Sequence, residues 1–523
     1  MSNPRAPYYP IIYVRGYAMS DSEKNRTATD PFCGFNDGST VYRASIDKSK
    51  PAKKFIFESP ILRLINDYNY HEVYDNGLDI VDDGWAGGFK QSSIVIYRYY
   101  DQTSKLVGSG KCPPIEEFAK GLNTLIYKVR DLVCSHEENG VTEKEFKCYL
   151  VAHSMGGLIC RAFLQNSQIG DQEAIQCVDK MFTYATPHNG IEMAGLNVPQ
   201  WLQKADMSNF NRDTMASYLD LESEFRKTGR VDWLPEEAFP SSRIFCMIGT
   251  NRDDYEVAMG VSRTFAGHGS DGLVRIENAS VWGIDDLGYI SSPCATAYAY
   301  RSHSGFFGIV NSEEAYQNLT RFLFGDVRVD IWVNIEQVSL PASLEGRKKD
   351  VNALYLFEVL ATPKGKQWYL TRRVAEEDSV ACVSYKALST ATPEEPHKVY
   401  LSTIFLSNKG RINAEDPTLT YALKLGIRVS EYELEHKFWP DEHFEGSYLV
   451  NDTLVVKMTP PQADKSVWDV SYASLGGTMG NGSKQMSYEQ IIDHEMQLPV
   501  PFGREARPGI QGHLSFVISA WNA

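Results

Sequence analysis

The stretch that decides the reading runs Cys148-Tyr-Leu-Val-Ala-His-Ser-Met-Gly-Gly-Leu-Ile-Cys160. Its opening residues are apolar and suit a strand covered on both faces, while Leu158, Ile159, Ala162 and Phe163 form an apolar stripe at helical spacing. Ser154 stands at the corner between them. A serine hydroxyl is a weak nucleophile unless it is held rigidly and given a base. A sharp strand-to-helix turn exposes the hydroxyl and aims the helix N-terminus at developing negative charge. The crowded backbone of such a turn needs small residues two before and two after the serine, and Ala152 and Gly156 supply them.

Around this centre, Tyr9 to Val14, Ser93 to Tyr97, Lys180 to Tyr184 and Arg243 to Ile248 are further short apolar strands. Residues Ile115 to Val133 carry Phe118, Leu122, Leu125, Ile126 and Val129 at the spacing of a crossover helix. This alternation predicts an α/β domain over residues 1–325, a mostly parallel sheet flanked by helices. Past Gly325 the period becomes two, as in Val327, Val329, Ile331, Val333 and Ile335 and again in Leu514, Phe516, Ile518 and Ala520. Residues 326–523 are therefore expected to form an antiparallel β-sandwich, with the boundary at Phe324-Gly325-Asp326. The glycine-rich stretch Gly476 to Lys484 lacks the Gly-Lys-Ser/Thr order of a phosphate loop and is expected to be a flexible hairpin.

A tetrahedral oxyanion needs two backbone N–H donors, one from the residue after the nucleophile and one from the loop after an early strand. Met155 follows Ser154, and the strand in Tyr9-Pro-Ile-Ile-Tyr-Val-Arg-Gly-Tyr-Ala18 ends at Arg15-Gly16, just before the Tyr17 amide. Gly16 is expected to let the chain turn there. With these residues the chain resembles lipases and esterases of the α/β-hydrolase family, in which an aliphatic strand ends in His-Gly and the serine lies in Ala-His-Ser-Met-Gly-Gly. Arg15 stands where that histidine usually is.

The resemblance implies a carboxylic ester hydrolase of the EC 3.1.1 type, working through a Ser-His-Asp triad and an acyl-enzyme, with the acid and base following the serine in that order. Gly269-Ser-Asp-Gly-Leu-Val274 is similar to the stretch in which bacterial lipases carry the acid, which points to Asp271. Asp253 and Asp254, directly after the strand Arg243 to Ile248, are the alternative, and His268 competes as base only in that case. Of the eleven histidines, His303, His397, His436, His443, His494 and His513 follow Asp271, and the last five lie in the β-domain. His303 precedes a closing helix with Tyr316, Leu319, Phe322 and Leu323 and is the expected base. His153 and His188 are expected to pack rather than react.

Two insertions, about 18–90 and 189–242, adjoin the expected mouth of the site. The second holds Trp201 and Phe210, candidate substrate contacts, and reads either as a lid over an acyl pocket or as a helical excursion packed on the core. The same triad serves an acyltransferase or amidase, and the fold also serves a non-catalytic binding protein using its β-domain. That β-domain matches no ligand pattern; lipid, carbohydrate or membrane binding and oligomerisation all stay open.

Composition narrows the partners. Lys plus Arg number 52 against 67 Asp plus Glu over 523 residues, a net charge of −15. This disfavours nucleic acid and anionic membranes and leans toward a neutral small-molecule or lipid-like ester. Nine cysteines without a C-x-x-C pair suggest neither a disulfide scaffold nor a zinc ribbon, and no D-x-[DN]-x-[DN]-G calcium loop is present, so no metal and no cofactor is expected. The N-terminal residues lack the apolar stretch of a signal peptide, and no run approaches the ~20 apolar residues of a membrane span. A cytoplasmic location is expected.

Overall fold

The computed structural model describes residues 8–16, 39–43, 53–57, 59–75, 78–79, 88–99, 103, 113–191, 209–253, 269–305, 308–411, 413, 415–434, 442–461, 467–477, 479–487, 495–503 and 505–522. The chain divides into two compact units, one running from Pro7 to Thr296 with Tyr300–Leu319 and the other taking Ala297–Ala299 with the chain from Thr320 onward.

The first unit is built on a parallel sheet. Its strands are β1 (Ile11–Val14), β2 (His71–Glu72), β3 (Ser93–Ile96), β4 (Cys148–His153), β5 (Val178–Tyr184) and β6 (Ile244–Gly249). Their spatial order is β6-β5-β4-β1-β3-β2, and Ala295–Ala299 continues the sheet beyond β6. The registers Ile11↔Ile94, Ile11↔Tyr149, Tyr149↔Lys180 and Ile244↔Met181 are all parallel. Alternate side chains on these strands, among them Ile12, Val14, Leu150 and Ala152, join one hydrophobic cluster with α1 (Ile115–Cys134) and α2 (Met155–Gln165). All five strands expected from sequence are present, each within about two residues of its expected ends. His71–Glu72 and Ala295–Ala299 are the two strands of this sheet that the pattern does not announce, and the second is the longer. The sequence of Ala295–Ala299, Ala-Thr-Ala-Tyr-Ala, is poor in the branched and aromatic residues that mark strands, yet it is buried throughout.

In the described part of the 189–242 excursion, Arg212–Tyr218 and Glu222–Thr228 are helices, and Met215, Tyr218, Leu219 and Leu221 are buried in the same cluster. Trp233–Pro235 from this segment pairs with Trp282–Ile284, which pairs with Ile290–Pro293.

The second unit is antiparallel and β-rich. One sheet runs His397–Leu406, Val327–Ser339, Gly509–Ala520, Glu495–Gly503 in space, and a larger one has Val351–Pro363, Leu419–Leu434 and Tyr448–Thr459 at its centre. Residues from both sheets, including Ile331, Phe516, Phe357, Leu423 and Val456, share one hydrophobic cluster. The period-two pattern thus marks buried faces, as alternation demands. The glycine-rich stretch joins Val467–Ser474 to Gly482–Ser487 as a hairpin. It is anchored rather than loose. The nearly buried Asp452 carboxylate accepts from the amides of Gly476 and Met479 and from the Ser474 hydroxyl. The structure is therefore an α/β fold followed by a β-rich region. Among the described residues no helix is long and apolar enough to cross a membrane.

Candidate active site

Ser154 lies between β4 and α2 with φ 52° and ψ −124°, a backbone region that non-glycine residues enter at a cost of about 1–3 kcal/mol. Close packing imposes this turn. A Cβ on Gly156 would stand 2.2 Å from the Val14 carbonyl oxygen, so only glycine lets α2 begin against β1. Gly16 is constrained for the same reason: a Cβ there would stand 2.8 Å from the Cβ of Ser154. Gly16 is not in the left-handed region, so close approach is what requires glycine there. Met155 opens α2, and its amide is among the first four of the helix, which have no intrahelical acceptor.

Three residues far apart in sequence meet at this turn. The Nε2 of His303 lies 2.9 Å from Ser154 Oγ, and its Nδ1 lies 2.9 Å from Asp271 Oδ2. All three residues are at most 5% exposed. An ionised carboxylate only accepts, so Nδ1 carries the proton toward Asp271 and Nε2 is left to accept from the serine hydroxyl. The other oxygen of Asp271 accepts from the amides of Leu273 and Val274, at 3.0 and 2.8 Å. The Asp-Gly stretch is therefore a tight turn and a histidine partner at once, one oxygen serving each. The amide of His303 donates to the Asp271 carbonyl at 3.0 Å, which ties the two loops together.

Of the rival residues, only Asp253 is described. Asp253 is an exposed side chain 3.7 Å from Arg252. Asp254 and His268 fall outside the described residues, as do the oxyanion candidate Tyr17 and the substrate-contact candidate Trp201. Phe210 is 5% exposed within the hydrophobic cluster of the first unit.

His153 is half-buried, and its Nε2 donates to the backbone carbonyl of His303 at 2.9 Å. Burial, with the nearby His303 and Arg15, pushes its pKa down to about 3 and keeps the ring neutral. His188 is fully buried; burial and then Arg161 hold its pKa well below the ordinary histidine value. Its Nε2 lies 3.2 Å from the hydroxyl of Thr183, which donates to the Phe245 carbonyl.

Sequence reasoning missed two residues that brace this centre. The Tyr99 hydroxyl donates to the Arg15 carbonyl at 2.6 Å, with Gly16 O at 3.2 Å, and so pins the end of β1. The guanidinium of Arg161, entirely buried on α2, donates to the carbonyls of His188, Val231 and Trp233 and to Gln165. The run Tyr97-Arg-Tyr-Tyr100 at the carboxyl end of β3 is a faint signal for the first; no local signal marks the second.

As for metals, Glu431, Glu433 and His443 offer ligand atoms within 4.8 Å of one another on the exposed hairpin of Leu419–Leu434 and Glu442–Glu445. His443 Nδ1 already lies 3.2 Å from Glu431.

No family model matches the chain, and no curated protein does. Among solved structures, it is similar to the Bacillus licheniformis lipase BlEst2 in its propeptide form, at 12% identity and a TM-score of 0.31 over 98% of this chain and 97% of that one. The mature form of the same lipase gives 15% identity and a TM-score of 0.32, covering 62% of this chain and 94% of that one. The product of the gene lin2722 from Listeria innocua gives 11% and 0.24, covering 60% and 93%. Likenesses this distant add no weight to the geometry.

Proposed function

We propose that the chain is a carboxylic ester hydrolase, a lipase or esterase of the EC 3.1.1 type, with its catalytic domain in residues 1–325 and an accessory β-domain in 326–523. The observation that carries this reading is the unbroken hydrogen-bond chain Ser154–His303–Asp271 at a strained strand-to-helix turn. Ser154 Oγ attacks the ester carbonyl while His303 Nε2 takes its proton. The proton then passes to the leaving alkoxide, which departs as the alcohol and leaves an acyl-serine. Water, deprotonated by the same imidazole, releases the acid and restores the serine. Asp271 fixes the ring orientation and offsets the imidazolium charge. The oxyanion is held by the Met155 amide at the start of α2, with Tyr17 as the proposed second donor.

A panel of p-nitrophenyl esters of short to long acyl chains tests this. Turnover of at least one chain length by the wild type, and its loss in Ser154→Ala, is expected. Absence of hydrolysis across the panel by a folded wild type overturns the reading.

A further inference from the structure

We propose that His153 is a positioning residue, its Nε2–H clamping the backbone carbonyl of His303 so that the loop bearing the base stays in register with the nucleophile. The inference rests on the reading of Ser154 and His303 as nucleophile and base. His153 ends β4 and directly precedes Ser154. Its Nε2 is 2.9 Å from the His303 carbonyl oxygen, and the two rings lie 5.1 Å apart at 43°. A carbonyl only accepts, so the proton must sit on Nε2 and the tautomer is fixed. On its other side the ring abuts the end of β1, where a Cβ on Gly16 would stand 2.9 Å from Nδ1. One imidazole therefore touches three segments: the nucleophile's strand, the base loop and the end of β1 at Gly16.

The other described backbone ties of the base loop run in different directions. The amide of His303 donates to Asp271, the Ile309 amide closes back on Ser302, and the Asn251 amide donates to Arg301. These bind the loop to the acid, to itself and to the loop after β6. The His153 bond runs from the backbone of the base residue to the strand that presents the serine. A proton-transfer geometry of 2.9 Å between Oγ and Nε2 tolerates little drift, and a misplacement of about 1 Å costs on the order of 100-fold in rate. Neutrality matters as well. A charged ring at this distance would oppose the imidazolium that forms on His303 during acyl transfer, and burial prevents that charge.

The test compares His153→Phe, which keeps a ring without the donor, with His153→Gln, whose amide nitrogen reaches the place of Nε2. Each is made in the full chain and checked by thermal melting. Fluorophosphonate titration counts competent sites, and kinetics are run on the best p-nitrophenyl ester. The Phe variant is expected to lose kcat by about 10- to 100-fold with KM within about twofold, and Gln to recover most of that loss. Should Phe fail to melt cooperatively, His153→Leu takes its place in the comparison. Wild-type kcat in the donor-less variant, or an equal loss in Gln, overturns the clamp. A wild type whose Ser154 does not label overturns the hydrolase reading itself, whereas a labelled Ser154 with an indifferent Phe variant overturns the clamp alone.

Discussion

The two units each bury an aspartate, and the pair shows how two saturated carboxylates differ in what their hydrogen bonds reach. Asp452, in the β-rich unit, is 2% exposed and accepts from the amides of Thr453, Gly476 and Met479 and the hydroxyl of Ser474. Asp271, in the α/β unit, is 1% exposed and also accepts from two amides, but its second oxygen faces a histidine that leads on to a serine hydroxyl. Burial and saturation are common to both. The difference lies in where the hydrogen bonds lead: those of Asp452 close a hairpin, while those of Asp271 continue through His303 to the Ser154 hydroxyl on a strained backbone.

Substitutions can break that contrast. Asp271→Asn is expected to lower kcat by about 10³- to 10⁴-fold, since the amide can donate to Nδ1 and favour the wrong tautomer. Activity near that of the wild type would remove Asp271 from the triad. Asp452→Ala should do the opposite, costing about 3 kcal/mol in urea unfolding, because buried amides lose an ionised acceptor, while the rate per labelled serine stays unchanged. A large fall in that rate with stability unchanged would erase the distinction. Gly156→Ala comes next. Its methyl group meets the Val14 carbonyl, a backbone atom that cannot swing away, and should cost about 2 kcal/mol together with part of kcat. A stable, fully active variant would show that the turn has room.

The smallest effect concerns acid. His153, lowered to about 3, and His188, also lowered, are neutral when folded but take up protons when unfolded below pH ~6.5. The unfolded state then binds more protons, so stability is full above that pH and falls as pH drops toward 3. His153→Gln should reduce the slope of stability against pH in that window by up to about one proton, measured by urea unfolding at several pH values. An unchanged slope would mean that the ring is charged when folded.

How much of this was legible in the sequence follows from how local each feature is. The Ser154 turn is written in adjacent residues, small at 152 and 156, because its constraints lie within one strand and one helix. His303 follows from chain order once the family resemblance is granted. Asp271 was legible as a turn residue or as a histidine's partner, but not as both, since dividing its two oxygens requires knowing what faces each. Tyr99 was only faintly legible and Arg161 not at all, because their partners lie up to 84 and 72 residues away and no periodicity records them. In the β-rich unit, alternation announced the strands, while the role of Asp452 depends on a hairpin tip beyond Ser474.

Ser154 is the proposed nucleophile. Intact-mass analysis after exposure to a fluorophosphonate tests it most directly. One adduct per chain is expected, mapped to the peptide containing Ser154 and lost in Ser154→Ala. An adduct that persists in Ser154→Ala, or a folded wild type that takes up none, would contradict it.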